Sequence, residues 1–138
     1  MTYALAWPLQ QAVHARLMAD PAVQSVLGDR IHDAAPQRPR LTETWAVLGD
    51  ETAEDWSTAT DHGAAHLMRI SVHAPRAGFA EAKQAAAAIC DALIGAELSP
   101  ARGHVVCLGF RSAETRRSED DALRTIRLTF RVLVEDTP

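Results

Sequence analysis

Ten residues near the end of the chain limit its fold more than any other stretch. Ile126, Leu128, Phe130, Val132 and Val134 alternate with Arg127, Thr129, Arg131, Leu133 and Glu135. A period of two sustained over that length is a strand buried on one face only. Such a strand needs neighbours at its sides and a cover over its apolar face. One neighbour reads at residues 104–111 (HVVCLGFR), with Val106, Leu108 and Phe110 on one side. The run between them, SAETRRSEDDA, carries both charges and no apolar residue larger than alanine. It reads as a loop or a solvent-projecting hairpin tip, so the two strands form a hairpin.

The cover and a third strand come from residues 66–93, HLMRISVHAPRAGFAEAKQAAAAICDAL. Met68, Ile70 and Val72 alternate with Arg69, Ser71 and His73, again a strand with one apolar face. Pro75 and Gly78 break it. The period then changes: Phe79, Ala82, Ala86, Ile89, Cys90 and Leu93 recur at helical spacing and form a stripe that can lie on a sheet. The alanines at 85–88 let that helix sit close.

Upstream, Leu5, Leu9, Val13 and Leu17 mark an amphipathic helix with Pro8 in its first turn. Asp20 and Pro21 restart a short helix that Gly28 ends. Residues 29–40 carry two prolines and read as an ordered surface loop. Residues 44–49 (TWAVLG) read as a short strand with Trp45 and Val47 on one face. The acidic stretch that follows, residues 50–61, reads as a long loop around Trp56. A loop of this kind is either a solvated connection or a binding loop. The order helix, short helix, strand, strand, helix, strand, strand predicts an α+β domain: one mostly antiparallel sheet with two main helices packed on one face. No internal repeat or domain boundary shows, so residues 1–138 read as a single domain.

Composition narrows the function. Of 138 residues, 47% are hydrophobic and 23% charged, with a net charge of −4. That balance disfavours a nucleic-acid or anionic-membrane binder. The N-terminus lacks a basic leader and no apolar run is long enough to span a membrane, so the expected setting is the cytoplasm. Cys90 and Cys107 belong to no paired motif and read as small core residues in a reducing compartment. His62 and His66 stand four apart, but Gly63 interrupts them and the residues after it read as strand, so no metal site is expected. No nucleophile, phosphate-loop or dinucleotide motif occurs. The acids Asp50, Glu51, Glu54 and Asp55 lie where nothing would separate their pKa values for acid–base work. The expectation is no catalytic residue, no cofactor and no enzyme.

What remains is surface. Arg69, Arg127 and Arg131 should stand on the sheet face opposite the helices. They are either simply solvated or, with Leu133, part of a mixed face for a neighbouring subunit. Glu51, Glu54, Asp55 and Trp56 in the acidic stretch, and Arg116 and Arg117 in the charged run, are the other candidate contact residues.

Four segments carry a family resemblance. ALAWPLQQAVHARLMADPAVQSVLGDRIHD, TWAVLGDET, the 66–93 unit and DALRTIRLTFRVLVED resemble, in order and pattern, the tail-completion or tail-terminator proteins of long-tailed phages and gene transfer agents. The stretch Pro39-Arg40-Leu41-Thr42 departs from that family, which more often places a proline directly before the first strand. The resemblance implies structural work in a virion or phage-like particle. It implies a homo-oligomeric ring, a hexamer, at the head-proximal end of the tail after assembly in the bacterial cytoplasm. The ring's partners would be the tail tube protein and the head–tail connector or stopper, with DNA passing through the lumen. Two other readings stay open: a head–tail stopper or adaptor, and a cytoplasmic ferredoxin-like domain binding a small ligand.

Overall fold

A computed structural model describes residues 3–34, 43–75, 79–119 and 122–136. The chain runs α1 (Ala6–Ala19), α2 (Pro21–Leu27), β1 (Ile31–His32), β2 (Trp45–Asp55), β3 (Gly63–Pro75), α3 (Phe79–Leu93), β4 (His104–Arg117) and β5 (Leu123–Glu135). The strands form one sheet in the order β1-β2-β3-β5-β4, antiparallel except for the short β1–β2 pair. The expected α+β architecture is therefore present.

Strand β3 pairs with β5 along its whole length, Met68 opposite Phe130 and Ile70 opposite Leu128. Alternate residues of both strands are buried: Met68, Ile70 and Val72, and Ile126 through Val134 at every second position. Helix α3 covers this face with Ala82, Ala85, Ala86, Ala88, Ile89, Ala92 and Leu93. Its alanines present almost no side chain, so the helix can approach the sheet closely and pack it densely. Leu9, Val13 and Leu17 of α1 and Val23 and Leu27 of α2 complete the core. Arg16 Nε donates to the Ala92 carbonyl at 3.0 Å and joins α1 to the end of α3. The restart between α1 and α2 is as read: Asp20 accepts from the Val23 amide at 3.0 Å, Pro21 opens α2 and Gly28 closes it.

Several sequence expectations need correction. The acidic stretch is not a loop until residue 56: β2 continues through Asp55, paired with β3 as far as Ala64. Likewise β4 continues through Arg117, so most of the charged run is strand and the tip is shorter. In both cases the ladder hydrogen bonds hold a strand whose side chains lie beyond the helical cover. Such a strand has no need of apolar alternation. Third, Val106 departs from the side that Leu108 and Phe110 share opposite Val132 and Phe130. Register shifts at Val105/Cys107 and Phe110/Ser112 change the phase of β4. Val105 and Leu108 pack on the core while Val106 and Phe110 are exposed, Phe110 meeting Phe130 edge-on with centroids 6.2 Å apart. The same shift leaves Cys107 exposed, against expectation; both cysteines are free thiols. In the loop expected at 29–40, Ile31 and His32 form β1 beside Ala46 and Val47. Residues 35–42, with the Pro39–Thr42 departure, and the Gly78 break lie outside the described residues.

The junction before β4 depends on Gly103, at φ 72°, where an added Cβ would sit 2.6 Å from the Glu135 carbonyl oxygen and 2.8 Å from Leu5 Cδ2. Gly95 has φ 78° but open space around it. Gly95→Ala should cost only left-handed backbone strain, about 1 kcal/mol, whereas Gly103→Ala adds a backbone clash and should cost about 3 kcal/mol. Urea unfolding of both variants checks this; equal costs would mean that the β4 junction yields.

Candidate assembly interface

The helices leave the other face of the sheet open. Because β3 and β5 alternate, Arg69, Ser71 and His73 stand on this face beside Thr125, Arg127, Thr129 and Arg131. Two shallow depressions, of about 310 and 470 Å³, meet there at Ser71, His73 and Arg127. Arg69 lines one and Arg116 the other. Arg127 Nη2 lies 3.7 Å from Asp50 Oδ2, a solvent-exposed pair of the kind worth little. His73 shares a 2.9 Å hydrogen bond with the Thr125 hydroxyl and lies against the buried Trp45 ring, centroids 5.3 Å apart. Burial pushes its imidazole pKa down, so His73 adds no charge at neutral pH. The face is polar, arginine-rich and half-solvated.

The other candidates scatter. Glu54, opposite Ala65, shares the open face near the end of β2. Arg131 is exposed on that face, and Arg116, 3.6 Å from Glu114, stands there near the hairpin tip. Arg117, paired with the core-facing Arg124, points to the opposite side of the tip. Leu133 is on the open face but only 8% exposed, so it is not presented to a partner. Trp56 is 38% exposed, its amide donates to the Gly63 carbonyl at 3.0 Å, and its ring packs over that glycine. Asp55 accepts a 2.6 Å hydrogen bond from the Ser57 hydroxyl.

Glu51 turns to the helix side, and here sequence reading missed a cluster. His66 is fully buried, and its Nδ1–H donates to Glu51 at 3.0 Å. The Tyr3 hydroxyl donates to the other Glu51 oxygen at 2.5 Å, and the Tyr3 ring stacks near His66 with centroids 6.2 Å apart. Partial burial pushes the Glu51 carboxyl up, but the hydrogen bonds from His66 and Tyr3 outweigh it and the net pKa falls below its ordinary value. The carboxylate beside Tyr3 pushes the phenol pKa up. This is a structural knot tying the N-terminus to the sheet. The signal was available in sequence: His66 has the same parity as Met68 and Ile70. Among the described residues no three His, Cys, Asp or Glu side chains gather as a metal would require. None of the described helices is long and apolar enough to cross a membrane.

Comparison with known proteins bears on these surfaces. Residues 11–135 match the family model described as tail completion protein gp17. No curated protein sequence matches the chain. Among solved structures, a chain from the virion of a native gene transfer agent particle is 45% identical, with a TM-score of 0.89. The alignment covers 97% of this chain and 99% of that one.

Glu51 supplies a pH test. Its folded pKa lies below the unfolded one, so its contribution to stability is present above the ordinary value of 4.5 and is lost as pH falls through the lowered folded value. Glu51→Gln should cost about 1 kcal/mol at pH 7, and the difference from the wild type should shrink as pH falls below 4.5. Urea unfolding across that range measures it; a gap that does not change with pH contradicts the assignment.

Proposed function

The chain belongs to the tail completion protein gp17 family, and we propose that it forms a ring that caps the head-proximal end of a tail tube. In this reading the ring, a hexamer, halts polymerisation of the tube protein and seats the head connector. Family membership makes the chain a structural protein of a phage-type tail. The observation that carries the finer reading is the full-length match, at 45% identity, to a chain of a gene transfer agent virion.

Physical features support it. A closed ring of identical subunits uses head-to-tail contacts between two different patches of each copy. The chain has an open arginine-bearing face and an acidic strand end to supply them. The net charge of −4 suits a lumen through which DNA must slide without being held, because phosphate contacts from cations are what retain it. Assembly takes place in the bacterial cytoplasm, before the ring becomes part of the particle.

The open-face arginines Arg127 and Arg131 contact a neighbouring subunit or the tube. Reversing both to Glu should abolish attachment while the monomer stays folded, since the exposed Asp50 pair contributes about 0.5 kcal/mol or less. Normal assembly of the double variant removes those residues from the interface.

Deleting the gene tests the function itself. Loss of a terminator leaves particles with overlong, uneven tails. Loss of a head–tail stopper instead leaves tails of normal length and heads that leak DNA. Intact particles after deletion would contradict both roles.

A further inference from the structure

Among the described residues the sheet has two open edges, and their net charges are opposite. On one side β4 pairs only with β5, so among the described residues no strand pairs with its outer edge. That edge carries Arg111 and Arg116, both exposed, and with Glu114 beside Arg116 it keeps a net positive charge. On the other side β1 pairs with β2 only at Ala46 and Val47. The Asp33 carbonyl still reaches Gly49, 3.2 Å from where a Cβ would stand. Past that point, among the described residues, no strand pairs with the outer edge of residues 50–54. This edge carries Asp50 and Glu54, both exposed.

Unpaired edges are a liability in a monomer, and bulges or charges commonly guard them. A guard against self-pairing places like charges on both edges, so that any approach is repelled. Here the signs are complementary, which favours approach instead. Strand direction agrees as well. Glu51 stands level with Met68, Met68 with Phe130 and Phe130 with Phe110. The free part of β2 is therefore level with the middle of β4, and a stagger of about four residues, of the kind that strands tilted to a ring axis make, clears β1 and sets Glu54 beside Arg111 and Asp50 beside Arg116. Successive antiparallel pairings make β2 run opposite to β4. A copy related by rotation about an axis tilted to the strands would thus meet β4 with an antiparallel β2.

We infer that subunits join edge to edge: residues 50–54 of one copy add to the outer edge of β4 in the next, and the sheets run on around the ring. The contact is head-to-tail, as closure into a ring requires. Backbone hydrogen bonds supply the adhesion, and Asp50 and Glu54 against Arg111 and Arg116 set direction and partner. The inference rests on the ring reading of the preceding subsection.

A charge swap tests it in the full-length protein. Light scattering after size exclusion follows assembly, and circular dichroism confirms that each variant is folded. The pair Arg111→Glu with Arg116→Glu, or the pair Asp50→Arg with Glu54→Arg, should each raise the concentration for half-assembly by about tenfold or more. The quadruple variant, with both charges exchanged, should restore rings. If a reversed pair unfolds, Arg111→Gln with Arg116→Gln takes its place and must weaken assembly in the same direction. Rings that form normally in the doubles, or a quadruple variant that stays dispersed, overturn the edge contact while leaving the ring reading intact. A wild-type chain that never forms rings removes both.

Discussion

The close seat of α3 on β3 and β5 is the contact on which the rest of the structure depends. Phe130 is fully buried beneath a helix whose facing residues are mostly alanine. Large side chains there would lift the helix and open voids around Phe130 and Ile70, and interiors tolerate voids poorly. The alanine face fixes the spacing between helix and sheet. Through Arg16 and the Ala92 carbonyl it also fixes where α1 lies. A small domain with few helices can seal only part of one face in this manner. Among the described residues, the outer lengths of β2 and β4 and much of the opposite face are left for water or for another protein.

That division explains what could be read in the sequence. Elements under the cover carry a strict period because every second or every third-to-fourth residue must be apolar. β3, β5, α1 and α3 were legible for that reason, and the caps at Asp20, Pro21 and Gly28 were legible because their chemistry is local. Elements beyond the cover carry no such signal. Residues 50–55 and 112–117 are strands held by backbone pairing, and their side chains look like those of a loop. Bulges hid the rest. With Ala46 and Leu48 facing the core, simple alternation would send Glu51 to the open face. The register shift between Leu48 and Glu51 flips it to the helix side, beside His66 and Tyr3. A slip of one residue reverses every side chain that follows.

The candidate surface was legible to the same extent. Parity alone places Arg69, Arg127 and Arg131 together on the open face. It says nothing of Asp50 reaching Arg127, nor of Leu133 being covered. Nor does it reveal that the two sheet edges carry opposite charge, since that depends on strand order. These features suit a protein whose work is to fit beside copies of itself and its tail partners rather than to transform a substrate. The buried His66 and the partly buried Glu51 tie elements together.

The central claim is a place in a particle, and labelling the chain in intact particles tests it most directly. A gold-tagged copy imaged by electron microscopy should give one signal per particle, at the junction of tail and head. Signal spread along the tail, at its distal tip, or absent from particles would contradict the account.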